Sequence, residues 1–342
     1  MSIESNFYSS NRTVLGKAIP IDTPYRLAIS ISEVCNFKCI YCFRHVSDTI
    51  SNGYTTLPFM DRGLFERIVE QAKAFPSKIK KVFLNITGEP LCHKELPEFA
   101  THAKRELPES IICIQTNGAL LTPVLSERIA ESGLDDMLIS LQGVSAEKYL
   151  EISGVKIDYA KFVDNIKYLY SIKKTLNLYV KIPDITLNAG EEKKYFEIFD
   201  SISDQATIEK INPVFKEVDY SKMGIDSNST ANRLGSDYGQ QRICSIPYYN
   251  LSLTTNGNVY PCVQSLIPCT YGNVNNESLA DIWNGKTRKD FLITMLRNES
   301  IPRCDTCTSK HSCVLSQEDI IEPYADEALA RMEKEDNGCL KY

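Results

Sequence analysis

The sequence predicts an α/β protein: an open, partial (βα)6 barrel followed by a small Cys-rich C-terminal domain. Three observations carry this reading. Six apolar runs with strand character alternate with helix-length periodic segments. A loop with three cysteines follows the first run. Past residue 241 the alternation gives way to short strands, turns and clustered cysteines.

The strands are expected over Arg26–Ser32, Lys81–Thr87, Ile111–Gln115, Met137–Leu141, Leu178–Ile182 and Ile208–Val214. Between them, 3.6-residue periodicity predicts helices over Met60–Phe75, Glu95–Leu107, Pro123–Ser132, Tyr159–Lys174 and Glu191–Ile202. Such alternation builds a parallel sheet covered by helices, with right-handed crossovers. Ligands of parallel α/β folds sit at the carboxyl ends of the strands, so the three-cysteine loop belongs to that end. The Ser-, Asn-, Asp- and Gly-rich stretch over 217–241 reads as a linker or a substrate-covering loop. It separates a barrel over 1–216 from a second domain over 242–342.

Composition narrows the function classes. The net charge is −6 and no basic patch is present, so nucleic acid is not an expected partner. The short basic run of Lys78, Lys80 and Lys81 reads as a solvated loop entering a strand. No apolar run reaches membrane-spanning length, and the polar start of the chain lacks the apolar core of a secretion signal. Twelve cysteines, mostly grouped, point to metal ligation in a reducing cytoplasm rather than to disulfides.

Cys35, Cys39 and Cys42 are spaced C-x3-C-x2-C, with Tyr41 directly before the third. Three thiolates on one tight loop can hold three corners of a cubic [4Fe–4S] cluster and leave the fourth iron open to a small molecule. An electron-transfer cluster usually has four Cys. A zinc knuckle is the alternative, but zinc usually takes four N/S ligands, and only His45 stands nearby.

This spacing and its aromatic residue resemble the radical SAM superfamily. There the open iron grips the amino and carboxylate groups of S-adenosylmethionine (SAM), and one electron cleaves the sulfonium to a 5′-deoxyadenosyl radical. The resemblance implies more site residues. Gly88 and Glu89, in a Gly-Glu-Pro turn after the second strand, match the motif for the methionine amino group. Asn117, in Thr-Asn-Gly after the third strand, falls beside the SAM pocket, although Asn-Gly is also ordinary turn chemistry. Ser140 and Gln142, after the fourth strand, fall within reach of the ribose. Many relatives carry Asp where Gln142 stands, so no base is available there. Lys181 is expected either at the cofactor carboxylate or facing solvent.

The C-terminal region carries a second thiol set. Cys244 and Cys262 flank two short strands joined by Asn256-Gly257, a hairpin turn that brings them together. Cys304 and Cys307 follow as C-x2-C, with Cys313 six positions on. Four thiolates would also suit zinc on geometry alone. The order of these motifs closely resembles the SPASM/twitch extension of radical SAM enzymes, which implies an auxiliary iron–sulfur cluster. The short form holds one [4Fe–4S] cluster on Cys244, Cys262, Cys304 and Cys307. The longer form holds two, with Cys313 and Cys339 as ligands, but its next expected cysteine position is Gln317 here.

Cys269 fits neither set. It reads as a buried thiol, a further cluster ligand, or a hydrogen-atom donor of the kind some radical SAM epimerases use. Cys113 reads as core, and Cys92 and His93 as structural. The resemblance implies a flavodoxin- or ferredoxin-type electron donor and either dehydrogenation or epimerisation. The expected substrate is a small polar natural-product intermediate such as a sugar or aminocyclitol. A ribosomally made peptide is the alternative. About 25 residues precede the first strand, too few for a leader-binding domain, which favours the small molecule.

Overall fold

Alternation along the strands decides which face of the sheet packs against helices. Leu27, Ile29, Val82, Ile112, Ile114, Met137, Ile139, Leu178 and Val180 are all buried in one large core with the covering helices. The intervening residues face the concave side. At its base Cys113, Leu138 and Tyr179 pack around Phe7 from the N-terminal segment. This is the period-2 signature of a sheet with two differently used faces. The structure is a computed structural model that describes residues 6–8, 12–46, 57–85, 87–215, 218–262 and 269–338.

The strands are β1 (Arg26–Ile29), β2 (Lys81–Phe83), β3 (Ile111–Thr116), β4 (Asp136–Ser140), β5 (Asn177–Pro183), β6 (Gln205–Glu209), β7 (Asn250–Leu253), β8 (Asn258–Tyr260) and β9 (Gly272–Asn273). They form one sheet in the order β6-β5-β4-β3-β2-β1-β7-β8-β9. The first six run parallel, as expected of a partial (βα)6 barrel. β7 adds to β1 in parallel, with Arg26 opposite Asn250 and Ile29 opposite Leu253. The C-terminal region therefore continues the barrel's own sheet rather than docking as a detached unit.

The expected helices form with trimmed ends. Asp61 caps the helix Arg62–Ala72 by accepting from Gly63 N and Leu64 N. Thr122 caps Pro123–Glu131 and Asp158 caps Tyr159–Ile172, as short polar side chains do at helix starts. The expected helices over 95–107 and 191–202 appear as Leu96–Glu106 and Glu191–Phe199.

Three expectations need correction. The sixth strand is Gln205–Glu209, earlier than the expected Ile208–Val214, because Lys210 N turns away to Arg233 O (2.8 Å) and Pro213 has no N–H to pair. A helix over Ala146–Ser153, capped by Ser145 and ended by Gly154 at φ 68°, was not anticipated. Lys81 is no solvated loop residue: its ammonium donates to Phe7 O (2.8 Å) and Asp136 (3.1 Å) under the barrel.

The C-terminal region shares its second core with the N-terminal strap. Leu15 and Ile19 pack with Tyr248, Leu292, Met295, Ile321 and Met332. Arg331, on the helix Ala325–Gly338, donates to Ile19 O and Gly16 O at 2.7 Å each, and Trp283 Nε1 donates to Ile21 O (3.1 Å). Part of the stretch after β6 is tied to the C-terminal region. Asn232 Oδ1 accepts from Leu234 N and Ser236 N, and its amide donates to Val314 O. No helix among the described residues is long and apolar enough to cross a membrane.

Candidate iron–sulfur sites

Backbone contacts and a few side chains together shape the three-cysteine loop. It leaves the carboxyl end of β1 and is pinned to the helix Ala146–Ser153 by Lys38 N to Ser153 O and Ile40 N to Ile152 O, both 2.9 Å. Cys42 N closes a turn on Cys39 O (2.9 Å). Phe37 is buried edge-on against Tyr149, so the loop carries its own apolar anchor. Arg44 ties exit to entry: its guanidinium donates to Glu33 O and pairs with the Glu33 carboxylate at 3.5 Å. Thr87 donates to the same carboxylate from the β2 side.

Burial pushes the Cys35 thiol up to about 11 and raises Cys39 and Cys42 as well, with the neighbouring thiols adding to the rise at Cys35 and Cys39. Three half-buried sulfurs in mutual electrostatic reach resist ionisation unless a cation joins them. Among the described residues, no three His, Cys, Asp or Glu side chains converge on one ion-sized point.

The second strand's turn lies directly on this loop. A Cβ on Gly88 would collide with Ser32 O and fall 2.6 Å from Val34 O, so only glycine permits the approach. Glu89 N donates to Val34 O (2.7 Å). The Glu89 carboxylate is buried and accepts from Leu91 N (3.0 Å), Asn117 N (2.7 Å) and the Thr116 hydroxyl. It joins the ends of β2 and β3. Burial raises its pKa to about 7 against those hydrogen bonds. Asn117 continues the chain of contacts: its amide donates to Asn36 Oδ1 (2.8 Å), inside the three-cysteine loop. The Asn36 backbone N–H lies within hydrogen-bonding reach of the Cys92 sulfur. His93 is structural as expected, contacting Met60 O (3.1 Å) through Nε2 and accepting from Glu95 N (3.2 Å) through Nδ1.

Gln142 lies against the cysteines. Its Oε1 receives the Tyr41 hydroxyl and Cys39 Sγ (3.5 Å), and its Nε2 donates to Ser140 O (3.1 Å). Ser140 Oγ accepts from Gln115 Nε2 (3.0 Å) on the concave face. Next along that face, Lys181 pairs with Glu209 at 2.9 Å instead of facing solvent. Tyr8 donates to Glu209 (2.9 Å) and accepts from Arg233 (3.1 Å). Sequence reasoning missed Thr116, Asn36, Tyr8, Glu209 and Arg233. Glu209 stood inside the misplaced sixth strand, and Arg233 in a stretch read as linker.

The C-terminal thiols meet elsewhere. Cys244, Cys262, Cys304 and Cys307, the four expected together, line one cavity of about 310 Å³. The expected hairpin forms, with Gly257 at φ 85° and Ser252 opposite Tyr260. Cys244 precedes β7 and Cys262 follows the antiparallel β8, so both lie at the Arg26 end of the sheet. The three-cysteine loop lies at the opposite end. Six residues separate the Arg26 and Ser32 levels, roughly 20 Å at strand rise. Burial raises Cys244 well above its ordinary range, with Cys313, Cys307 and Cys262 contributing in that order. Burial likewise lifts Cys304 to about 12, with Cys307 and then Cys269 adding to the rise. Cys313 thus lies within electrostatic reach of Cys244, and Cys269 within reach of Cys304. Cys113 is fully buried, as expected. Cys339, residues 263–268 before Cys269 and the side chain of His45 lie outside the described set. The four thiols on one cavity and the three on one loop suit two thiolate-held clusters.

Two family models match the chain. Residues 29–192 match the Radical SAM superfamily, and residues 244–308 match SPASM, an iron–sulfur cluster-binding domain. The chain is 24% identical over 337 residues to the tungsten-containing aldehyde ferredoxin oxidoreductase cofactor-modifying protein of Pyrococcus furiosus, covering 84% of this chain and 88% of that protein. A probable GTP 3′,8-cyclase of Archaeoglobus fulgidus is 36% identical over 131 residues, 37% of this chain and 39% of its own. Among solved structures, anSMEcpe with bound AdoMet superposes with TM-score 0.57 at 16% identity, covering 92% of this chain and 96% of that one. SuiB of Streptococcus suis superposes with TM-score 0.53 at 18% identity, covering 85% and 72%. At such identities the superpositions speak for the fold.

Proposed function

This chain belongs to the radical SAM superfamily and ends in a SPASM iron–sulfur cluster-binding domain, and on that premise we propose that it oxidises a small polar natural-product intermediate by dehydrogenation. It is a radical SAM enzyme that uses SAM, a [4Fe–4S] cluster and auxiliary iron–sulfur chemistry. When bound, the first cluster supplies the electron that cleaves SAM to a 5′-deoxyadenosyl radical, which takes hydrogen from a substrate C–H bond.

Cys35, Cys39 and Cys42 hold that cluster in this reading. Gly88 lets SAM approach the loop, and Glu89 and Asn117 keep the strand ends in register around it. Ser140 and Gln142 border the same pocket. Cys244, Cys262, Cys304 and Cys307 would hold one auxiliary cluster, which would supply an electron acceptor there. A flavodoxin- or ferredoxin-type protein supplies reducing equivalents. The barrel spans residues 1–216, the covering stretch 217–241 and the auxiliary domain 242–342.

The observation that carries the substrate class is the concave face. Gln115, Ser140, Lys181 and Glu209 stand in a row across β3–β6, extended by Tyr8 and Arg233. Such a lining of fixed donors and acceptors suits a ligand rich in hydroxyl or amino groups. The competing reading is a ribosomally made peptide, favoured by the likeness to SuiB, a structure of which contains a precursor peptide. Epimerisation is the competing outcome, with Cys269 as hydrogen donor. The test is substrate-dependent formation of 5′-deoxyadenosine by the reduced, reconstituted enzyme. Turnover with sugars or aminocyclitols, giving a product oxidised by two electrons, supports the proposal. Turnover with peptides alone overturns it.

A further inference from the structure

Gln142 and Tyr41 have no assigned part in iron chemistry, yet both contact a cluster ligand. Tyr41 OH and Cys39 Sγ converge on one atom, Gln142 Oε1, the sulfur at 3.5 Å. Gln142 cannot drift, because its Nε2 is held by Ser140 O at 3.1 Å and the side chain is 3% exposed. The Tyr41 hydroxyl is buried with it. Resting on the assignment of Cys39 as an iron ligand, the geometry points to a hydrogen-bonding pair, Tyr41 and Gln142, that sets the reduction potential of the SAM-binding cluster through the Cys39 sulfur.

Hydrogen-bond accounting supports this. In the metal-free chain Cys39 is the donor. Once iron replaces its proton, the sulfur can only accept. An oxygen from Gln142 would then face a thiolate with nothing between them. Tyr41 can turn to serve it by rotating its hydroxyl toward the sulfur, while Gln142 stays fixed by its Nε2 on Ser140 O and bounds the position of the phenol. Donors to cluster sulfurs stabilise the reduced, more negative state and raise the potential. Partners outside the ligand set commonly tune metal sites in this way. The side chain at 142 matters for sign. A carboxylate so close to the sulfur would oppose reduction, whereas an amide adds no charge.

The experiment is EPR-monitored potentiometry of the reconstituted holoenzyme, with the auxiliary cluster as internal reference. Tyr41→Phe keeps the ring and removes only the hydroxyl. It is expected to lower the equilibrium constant for reducing the SAM-binding cluster at least tenfold, about 59 mV negative for a one-electron couple, and to leave the auxiliary signal in place. Gln142→Leu is expected to shift in the same direction. Adding it to Tyr41→Phe is expected to give less than the sum, since the two act as a unit. Gln142→Glu, close in shape but charged, is expected to shift furthest. Reduction equilibrium constants within twofold of wild type in all three variants overturn the proposal. Failure of Tyr41→Phe to bind the cluster also overturns it, in favour of a packing role. If Cys35, Cys39 and Cys42 can be replaced without losing the titrating signal, the cluster assignment fails instead, a different result from an unshifted potential.

Discussion

Arg44, two residues beyond the last cysteine of the loop, pairs with Glu33, two residues before the first, at 3.5 Å. The guanidinium also takes the Glu33 carbonyl. This closes the mouth of the loop, so that three sulfurs are presented from a fixed frame. Arg44→Ala leaves a buried carboxylate with the Thr87 and Ser30 hydroxyls beside it and no cation. The expected cost is about 2 kcal/mol, the usual worth of a hydrogen bond to a charged group. Denaturant unfolding should show it, and iron retention at the first site should fall while the auxiliary iron stays.

Gly88 admits no side chain. Gly88→Ala puts a methyl against Ser32 O and Val34 O, both fixed backbone. Overpacking of this kind costs about 1–3 kcal/mol. The variant is expected to fold less stably and to bind SAM weakly, measured by equilibrium binding to the reconstituted enzyme. Unchanged SAM affinity would separate this turn from the cofactor.

Glu89 gives a pH prediction. Its folded pKa lies near 7 against 4.5 for the free group, raised by burial. Between those values the folded state keeps a proton that the unfolded state has released. This contribution to stability is therefore full below pH 4.5, declines as pH rises, and is gone above 7. Difference infrared spectra are expected to show a protonated carboxyl at pH 6 that vanishes at pH 8 and is missing in Glu89→Gln.

Cys269 decides between the two outcomes. If dehydrogenation is right, Cys269→Ala turns over, and product formed in deuterated water carries no solvent deuterium at the altered carbon. One deuterium in the wild-type product, with loss of that product in the variant, would establish the thiol as donor and the reaction as epimerisation.

One auxiliary cluster implies about eight irons per chain, four for each cubic cluster. Mössbauer spectra should show two clusters, and Cys339→Ala should leave iron content unchanged. Three intact clusters would assign Cys313 and Cys339 as ligands.

Residues that repeat or cluster in sequence were legible. The cysteine spacings named both thiol sets, and the apolar runs between helix-length segments named the parallel strands, the sixth of them displaced. What was hidden is long-range. Nothing local links Gln142 to Cys39, Asn117 to Asn36 or Arg233 to Tyr8, because each pair meets only after the barrel closes. The sixth strand slipped because Ile208–Val214 is the more apolar run, while the register is fixed by Tyr179 opposite Gln205 through Pro183 opposite Glu209. Tertiary pairing overrode local composition there. The parallel addition of β7 to β1 was hidden for the same reason.

The central claim is that Cys35, Cys39 and Cys42 hold the cluster that cleaves SAM. The direct measurement is 5′-deoxyadenosine formed from SAM by anaerobic, reduced enzyme, beside a variant in which all three become Ala. The wild type is expected to form it, and the variant to form none while keeping about four auxiliary irons. Continued 5′-deoxyadenosine formation by the purified triple variant would contradict the account.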